Sequence, residues 1–422
     1  MLGTNGLSTP AAQSGNGTAL TNGHGSLRTI YFSDTSLRDG EQAPGVNFSL
    51  DKKVAIAREL SKMGIDEIDA SFPVSSASSF EACQRIAREV GPLMEGRQHI
   101  GKPVMVTALT RPIEYDIDRT YEAIKDAPRF AIRLFIATSD IHLEHKLRIT
   151  REKCLEMIDH GTRYALRYTP HVTLCSEDSA RSDPEFLCRA FQTAIDAGAD
   201  TVYLSDTVGS CIPAEFYRIV KYCVDHTAHD PQRVRWGVHT HNDLGLGVAN
   251  ILAGIEAGAT IIDSTMAGIG ERAGNAAIEE IAMILTTHPE HYQARHNLHT
   301  RDFTRLCRMV VELGGTTMAP NKPIVGQNVF RHTSGIHQHG LLRNRSTYEY
   351  LDPEMVGATS DGLILSKLSG RSAFQARLER LKVDHLDLSP DRLNILFAKF
   401  KILAEDRTEV TDADLIKLVD QA

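Results

Sequence analysis

Two short segments of the sequence carry side chains whose types and spacing suit metal-assisted chemistry. Arg38 and Asp39 follow a short apolar run and precede Gly40, so a cation, an anion and a turn stand at the end of a predicted strand. Far along the chain, His239 and His241 close another apolar run. Side chains alternate along a strand, so both imidazoles project from the same face. Two imidazoles and one carboxylate are a ligand set for a single divalent cation.

Four segments, in this order, resemble the isopropylmalate, homocitrate and citramalate synthase family: residues 34–42, 238–243, 268–275 and 332–338. The resemblance covers roughly residues 29–374. It implies a metal-bearing (β/α)8 TIM barrel of the α/β class. It also implies an acyltransferase that condenses acetyl-CoA with a 2-oxo acid in a Claisen-type reaction, giving a 2-alkylmalate-type product and CoA.

Composition agrees with an enzyme that acts on small molecules. A chain of 422 residues, 42% of them hydrophobic, is long enough for one large core and a smaller module. A net charge of -8 without a long basic run argues against nucleic acid or a membrane surface as the main partner. Seven cysteines without paired short spacings indicate a reducing compartment. We expect a soluble, cytoplasmic protein, because no apolar run approaches the length of a membrane span and the N-terminus lacks the basic-then-apolar order of a secretory signal.

Three regions are predicted along the chain. Residues 1–28 are rich in small and polar types, which predicts a disordered tail. Residues 29–288 alternate short β-branched runs with amphipathic stretches, as in successive βα units that close a barrel. Residues 289–422 should form an appended helical and loop region, with a helix near Asp302–Leu313, that contributes the catalytic base. The eight predicted strands lie near Thr29–Phe32, Glu67–Ala70, Val104–Thr107, Ala131–Phe135, His171–Leu174, Thr201–Leu204, Gly237–Val238 and Ile261–Ser264.

The first barrel helix has clear start and stop signals. Ser49 is its predicted cap, Asp51 suits its positive end, and Gly64 follows it. Its predicted buried stripe comprises Val54, Ile56, Ala57, Leu60 and Met63. Leucine-pathway synthases of this family usually continue into a regulatory domain, and this sequence ends before one could fit. Feedback inhibition through such a domain is therefore not expected.

The resemblance implies a metal site at the barrel mouth. Asp39, His239 and His241 match the family's protein ligands, and Asn275 matches a fourth position that binds the metal or lies beside it. Mixed nitrogen and oxygen ligands suit Mn, Zn, Mg or Co. The alternative is that the two histidines form an ordinary polar barrel layer and that Asp39 is a turn residue.

Catalytic roles also follow from the resemblance. Arg38 would stabilise the negative charge that develops on the keto oxygen, with Gln42 as a supporting contact. His337 would remove a methyl proton from acetyl-CoA, assisted by Tyr348, and Glu177 would join them. In the family this base reaches the partner's barrel, so a homodimer is expected. The alternatives are a structural salt bridge for Arg38 and ordinary loop positions for His337 and Tyr348.

Further positions match groups that bind the substrates. Thr207 matches the threonine that holds the carboxylate of the oxo acid. Gly268 and Gly270, with Asn275, lie in a loop near the CoA side, and Gly274 belongs to the same loop. No Gly-Lys-Ser or Gly-Lys-Thr element accompanies these glycines, which argues against a P-loop. A tight turn before the last barrel helix is the alternative interpretation of this loop.

Some positions depart from the leucine enzymes. Arg133 stands where these usually have His, Ser205 replaces a usual proline, and His339 replaces an Asp. A fixed cation and added hydroxyls suit an acceptor whose side chain carries a carboxylate, phosphonate or phosphinate. The alternative is that Arg133 pairs with a neighbouring acid and that the enzyme is a 2-isopropylmalate synthase using 2-oxoisovalerate.

Two further functions compete with this hypothesis. A hydroxymethylglutaryl-CoA-lyase-like enzyme would share the barrel and the metal, but those lyases carry a catalytic cysteine in a glycine-rich loop, and residues 268–275 contain none. A catalytically silent scaffold that binds metabolites would tolerate loss of the ligands or the base, and all of them are present.

Overall fold

The computed structural model describes residues 27–359, 362–381 and 389–421. The predicted N-terminal tail therefore lies almost wholly outside the described residues. Within the described ranges, no helix has both the length and the apolar character needed to cross a membrane.

Eight parallel strands form a closed barrel in chain order, which confirms the predicted fold class. Each predicted strand overlaps one barrel strand. The first begins later than predicted because Arg28–Thr29 pairs instead with Ala294–Arg295 in a separate ladder. The barrel strands are β1 Tyr31–Asp34, β2 Glu67–Asp69, β3 Met105–Thr110, β4 Phe130–Ala137, β5 Val172–Glu177, β6 Thr201–Asp206, β7 Arg235–Thr240 and β8 Ile261–Ser264.

Helices follow the strands and surround the barrel, which places both faces of every parallel strand in contact with other protein. Between β4 and the next long helix lie a short turn, Asp140–His142, and a π-helical turn, Leu143–Leu147. The barrel helices are α1 Leu50–Met63, α2 Ala77–Glu89, α3 Glu114–Ile124, α4 Arg151–Ala165, α5 Pro184–Ala197, α6 Pro213–His226, α7 Gly247–Glu256 and α8 Ile278–Thr287. The later helices are α9 Phe303–Leu313, α10 Gly335–Arg343, α11 Arg371–Leu381, α12 Pro390–Ala404 and α13 Asp412–Asp420, with a short turn at Pro289–Tyr292.

The first helix follows its sequence signals closely. It runs from Leu50 to Met63, and Gly64 ends it with a left-handed φ of 98°. Every member of the predicted stripe is buried. Ser49 occupies the cap position, but its side chain accepts no capping hydrogen bond. The hydrophobic stripe, together with the glycine, therefore defines this helix.

The buried apolar side chains form two separate clusters. The larger one fills the barrel and the layer between strands and helices, and it includes Phe303 and Val310 of α9. The smaller one lies in the C-terminal region and is built around Phe374, Leu396 and Phe400. The helix predicted near Asp302–Leu313 therefore packs with the barrel, although the proposed boundary near residue 288 would assign it to the appended region.

Candidate active site

A cavity of about 530 Å³ opens where the barrel strands end. This is the face at which TIM barrels carry their chemistry, because the loops that follow the strands meet there. The cavity brings together eight residues predicted from the sequence: Arg38, Asp39, Gln42, Glu177, Ser205, Thr207, His239 and His241.

Three of these residues converge closely enough to hold one metal ion. Asp39 Oδ2 lies 3.4 Å from His239 Nε2 and 3.3 Å from His241 Nε2. All three side chains are buried, and their ligand atoms lie within 4.8 Å of one another. A buried set of two imidazole nitrogens and one carboxylate oxygen fits a divalent cation.

Electrostatics at this cluster favour the ionised carboxylate. Burial alone would raise the pKa of Asp39, but Arg38 and the two imidazoles hold it well below its usual range. Burial would lower the pKa of His239, but hydrogen bonds to Asp263 and Asp39 raise it to about 9. The negative charges of Asp39 and Asp263 thus favour the protonated form of the His239 ring. A bound cation would compensate these charges instead and would displace that proton.

A second carboxylate supports the histidine. Asp263 Oδ2 lies 3.2 Å from His239 Nδ1, on the ring nitrogen that faces away from Asp39. A carboxylate behind a metal-binding imidazole fixes the ring's orientation and makes it a better ligand. Sequence reasoning missed Asp263, although an acid near the end of the apolar strand β8 was a usable signal.

Asn275 lies beside His241, with which it forms an isolated antiparallel bridge. Its Nδ2 donates to the carbonyl of Ile269 at 3.1 Å, and its buried Oδ1 has no hydrogen-bond partner. A Cβ at Gly270 would overlap that Nδ2, so the glycine is needed for the close approach. Gly268 adopts φ 70° and Gly274 φ 87° in the same loop. The unpaired amide oxygen suits the role predicted for Asn275.

Arg38 is held between two carboxylates. Its Nε donates to Asp69 Oδ2 at 2.8 Å, and its Nη1 lies 3.3 Å from Asp39 Oδ1. Thr35 Oγ1 also donates to Asp69, at 3.1 Å. The guanidinium therefore has a fixed position beside the metal-ligand cluster, at one wall of the cavity.

Arg133 does not line the cavity. It is 1% exposed, and its Nη1 contacts Asp69 Oδ2 at 3.2 Å and Asp263 Oδ1 at 3.0 Å. Its Nη2 donates to Ser33 Oγ at 3.1 Å. The guanidinium thus lies beneath the cavity and bridges the two carboxylates that support Arg38 and His239. This geometry favours the alternative left open by the sequence, in which Arg133 pairs with neighbouring acids.

Glu177 lines the cavity in an ion pair with Lys146, whose Nζ lies 2.6 Å from Oε1 and 2.8 Å from Oε2. Lys146 comes from the π-helical turn and was not predicted as a site residue. His142 Nδ1 lies 2.9 Å from the adjacent Asp178 carboxylate. The loop after β4 is therefore tied to the end of β5 by charged contacts.

Thr207 and Ser205 lie on the β6 side of the cavity. Thr207 Oγ1 accepts a hydrogen bond from the Asp178 amide at 2.9 Å, so its hydroxyl proton remains available to a ligand. The Thr207 carbonyl accepts from Arg272 at 2.8 Å, and Arg272 also binds both carboxylate oxygens of Asp243. These contacts, which sequence reasoning did not predict, fix the glycine-rich loop against β6 and β7.

The candidate base lies elsewhere in the chain. His337, in α10, stacks on Tyr348 with ring centroids 4.1 Å apart and an interplanar angle of 25°. Neither residue lines the cavity. Tyr348 is 43% exposed. The structure therefore brings the two residues to each other but, within a single chain, not to the metal-ligand cluster.

Family comparisons agree with this architecture. A family model described as HMGL-like matches residues 29–310, and one described as homocitrate synthase post-HMGL domain-like matches residues 324–408. A curated 2-isopropylmalate synthase from Pelotomaculum thermopropionicum is 44% identical over 93% of this chain and 75% of the relative. One from Pyrococcus furiosus is 42% identical, over 93% and 76%.

The chain belongs to the alkylmalate synthase family. Among solved structures, hydroxymethylglutaryl-CoA lyases share the fold. That of Brucella melitensis has a TM-score of 0.56 at 18% identity, covering 68% of this chain and 99% of the lyase. That of Pseudomonas aeruginosa has a TM-score of 0.56 at 18% identity, covering 70% and 96%. At these identities the likeness extends to the barrel alone.

In this alkylmalate synthase family member, the cysteine at the cavity is unsuited to the acid–base role that a lyase-like reaction would need. Cys175 lines the cavity. Burial raises the pKa of its thiol to about 12, so the sulfur stays protonated and is a poor acid or base near neutral pH. The remaining cysteines are free and buried.

Proposed function

We propose that this protein is an acyltransferase that condenses acetyl-CoA with a 2-oxo acid and releases CoA. The observation that carries the proposal is the convergence of Asp39, His239 and His241 at the barrel mouth, directly beside Arg38. The alkylmalate synthase relatives support the same reaction. Free cysteines throughout the chain agree with a cytoplasmic location.

Asp39, His239 and His241 would hold a divalent cation, Mn, Zn, Mg or Co, with the Asn275 oxygen beside it. Such a cation, when bound, polarises the acceptor ketone and orients the oxo acid. Asp263 would keep the His239 ring in place from behind, because its backbone carbonyl and its carboxylate both lie 3.2 Å from Nδ1.

Carbon–carbon bond formation requires a base and a charge stabiliser. His337 would take a proton from the acetyl methyl group, assisted by Tyr348. The methyl carbon would then bond to the keto carbon, and negative charge would collect on the keto oxygen beside Arg38. Hydrolysis of the thioester by water would release CoA and the free carboxylate of the product.

The position of His337 supports a homodimer. His337 and Tyr348 lie outside the cavity of their own chain, so in the proposed reaction they would come from a second copy. Glu177 would join them from the barrel, after exchanging its ion pair with Lys146 for the incoming groups. The CoA portion would lie along the loop of Gly268 and Gly270.

For the acceptor, we propose an oxo acid whose side chain ends in a carboxylate, phosphonate or phosphinate. Thr207 would hold its common carboxylate, with Ser205 and Gln42 nearby. Arg133 is buried and paired with Asp69 and Asp263, which favours recognition of the charged end by other groups. 2-Oxoisovalerate is the second candidate, because it is the acceptor that would give the isopropylmalate for which the relatives are named.

The reaction is tested by incubating the purified protein with acetyl-CoA, Mn²⁺ and one oxo acid at a time. Free CoA is the measured product. We expect oxo-acid-dependent CoA release that disappears on chelation and returns with metal. Asp39→Ala should be inactive and metal-poor. A metal-stripped preparation that keeps its full rate would contradict the mechanism. Cleavage of hydroxymethylglutaryl-CoA would favour the lyase-like function instead. Absence of turnover with every oxo acid would favour a catalytically silent scaffold that binds metabolites.

A further inference from the structure

One wall of the cavity has no role in the chemistry described so far. Ser71, Ser75 and Ser79, here called the serine wall, line it between β2 and the first turn of α2. Ser71 is only 4% exposed. Its hydroxyl lines the cavity and has no hydrogen-bond partner among the residues that the structure describes. This hydroxyl is open to the cavity, so it is free to form a hydrogen bond with a ligand there.

Barrel geometry places this wall opposite the proposed carboxylate site. Ser71 follows β2 and Thr207 follows β6, and strands four apart in a closed ring of eight face each other. The proposed function puts the acceptor's carboxylate at Thr207 and its ketone beside Arg38. The remaining substituent of the keto carbon then points away from Thr207, towards the serine wall.

The serine wall presents hydroxyl groups that are not paired with acids. Ser75 Oγ donates to the Phe72 carbonyl at 2.7 Å and contacts Ser79 Oγ at 3.0 Å. No carboxylate of the described residues makes a hydrogen bond with any of the three hydroxyls. Helix α2 begins directly behind them, with Ser76 as its cap at 3.0 Å from the Ser79 amide. The positive end of the helix adds to the preference for an anion.

Apolar residues on the same side complete the shape. Phe72, Leu109 and Phe135 line the cavity next to the serine wall. They suit the methylene portion of an acceptor side chain, whereas the hydroxyls suit polar oxygens at its end. An isopropyl group would leave the Ser71 hydroxyl without a partner.

We propose that the serine wall determines acceptor specificity by binding an oxyanion, a carboxylate or a phosphonate, at the end of the oxo acid's side chain. The proposal rests on the proposed function, since it uses the same cavity and the same substrate orientation. Ser71 and its neighbours would then recognise the charged end of the oxo acid's side chain, and Arg133 would have a structural role.

Acceptor competition tests the serine wall. The kcat/KM of the full chain with Mn²⁺ would be measured for oxaloacetate, phosphonopyruvate and 2-oxoisovalerate. The variants are Ser71→Ala and the double variant Ser75→Ala/Ser79→Ala. Ser78→Ala is the matched control, because Ser78 lies in the same turn but does not line the cavity. We expect the wild type to prefer an anionic acceptor, and the two acids identify which oxyanion it takes.

Loss of a hydroxyl contact to a charged group should lower kcat/KM for the preferred acid by about tenfold or more, mainly through KM. The ratio of anionic to branched-chain use should fall in Ser71→Ala and stay constant in Ser78→Ala. A wild type that prefers 2-oxoisovalerate overturns the proposal. An equal loss with all three acceptors in Ser71→Ala also overturns it, because that result indicates a structural role.

Calorimetric titration of phosphonopyruvate and oxaloacetate into Mn²⁺-loaded protein separates this proposal from the reaction itself. Binding that weakens in Ser71→Ala and not in Ser78→Ala supports the serine wall even where no condensation occurs, in which case only the proposed function fails. Binding that is equal in all variants overturns the serine wall while the condensation stands.

Discussion

At the scale of single residues, partners decide what a charged side chain does at this barrel mouth. Arg38 and Arg133 both contact Asp69, yet Arg38 also contacts the candidate metal ligand Asp39 and lines the cavity, whereas Arg133 is enclosed. Burial alone would lower the pKa of Arg133, but Asp263 and other neighbours raise it well above its usual value. Its charge is thus permanent and compensated inside the protein.

Removal of Arg133 should therefore lower the stability of the fold more than it changes the specificity for the acceptor. Arg133→Leu leaves Asp69 and Asp263 without their shared cation, which should cost about 3–5 kcal/mol of unfolding free energy. We expect urea denaturation to show this loss. The exposed Arg163, which pairs with Asp159, provides a control whose change to Leu should matter little. A stable Arg133→Leu protein that has lost only its use of anionic acceptors would contradict this expectation.

Asp263 gives a second test at the same scale. Because its carboxylate lies 3.2 Å from His239 Nδ1, beside the Asp263 carbonyl that also contacts this nitrogen, Asp263→Asn should weaken metal affinity by about 10–100-fold. Competition with a chromophoric chelator measures this directly. Asp200, which pairs with His171 at the opposite end of the barrel, is the matched control for Asn substitution. Unchanged metal affinity in Asp263→Asn would remove the positioning role.

At the scale of elements, the sequence predicted the strands and the helix that a repeating apolar pattern specifies. It did not predict the contacts that form only when the barrel closes. The eight strands and the stripe of α1 follow from local apolar patterns. Asp69 and Asp263 lie on strands β2 and β8, so their shared contact with Arg133 on β4 exists only when the barrel closes. Lys146 reaches Glu177 through a π-helical turn that no periodic pattern announces.

The glycine-rich loop shows how elements support one another. Glu279, fully buried in α8, accepts the Ala267 amide at 3.0 Å, where Ala267 has a left-handed φ of 59°. Lys322, from the segment after α9, lies 3.2 Å from the Glu279 carboxylate. The region that follows the barrel thus stabilises the loop that precedes Asn275.

Lys322→Met should loosen this loop. Glu279 would lose its cation, which should cost about 3 kcal/mol or more. We expect a raised KM for acetyl-CoA and faster hydrogen exchange in residues 266–275, with the metal still bound. Lys221→Met, on the exposed face of α6, is the control. If exchange in the loop stays at the wild-type rate, Lys322 does not support it.

At the scale of the whole molecule, the proposed catalytic groups are divided between two parts of the chain. The metal-ligand cluster belongs to the barrel, and the His337–Tyr348 pair lies in the C-terminal region. Apolar side chains near the pair are exposed, with Ile336 at 76% and Tyr350 at 77%. Exposed apolar side chains around this proposed catalytic pair favour contact with a second chain. The sequence predicted the division only through family resemblance, since no local pattern specifies which barrel a distant histidine serves.

Subunit mixing tests the shared site. His337→Ala and Asp39→Ala homodimers should each be almost inactive, because one lacks the base and the other lacks a metal ligand. In a mixed dimer, one of the two sites combines an intact barrel with an intact base. Random exchange at equal amounts makes half of the dimers mixed, so activity should recover to about a quarter of wild type. Mixing His337→Ala with a His337→Ala/Asp39→Ala double variant is the control and should recover nothing, since no base is present in any pairing. Failure of the first mixture to recover, despite subunit exchange demonstrated by mass-tagged chains, would mean that His337 does not act on a partner's barrel.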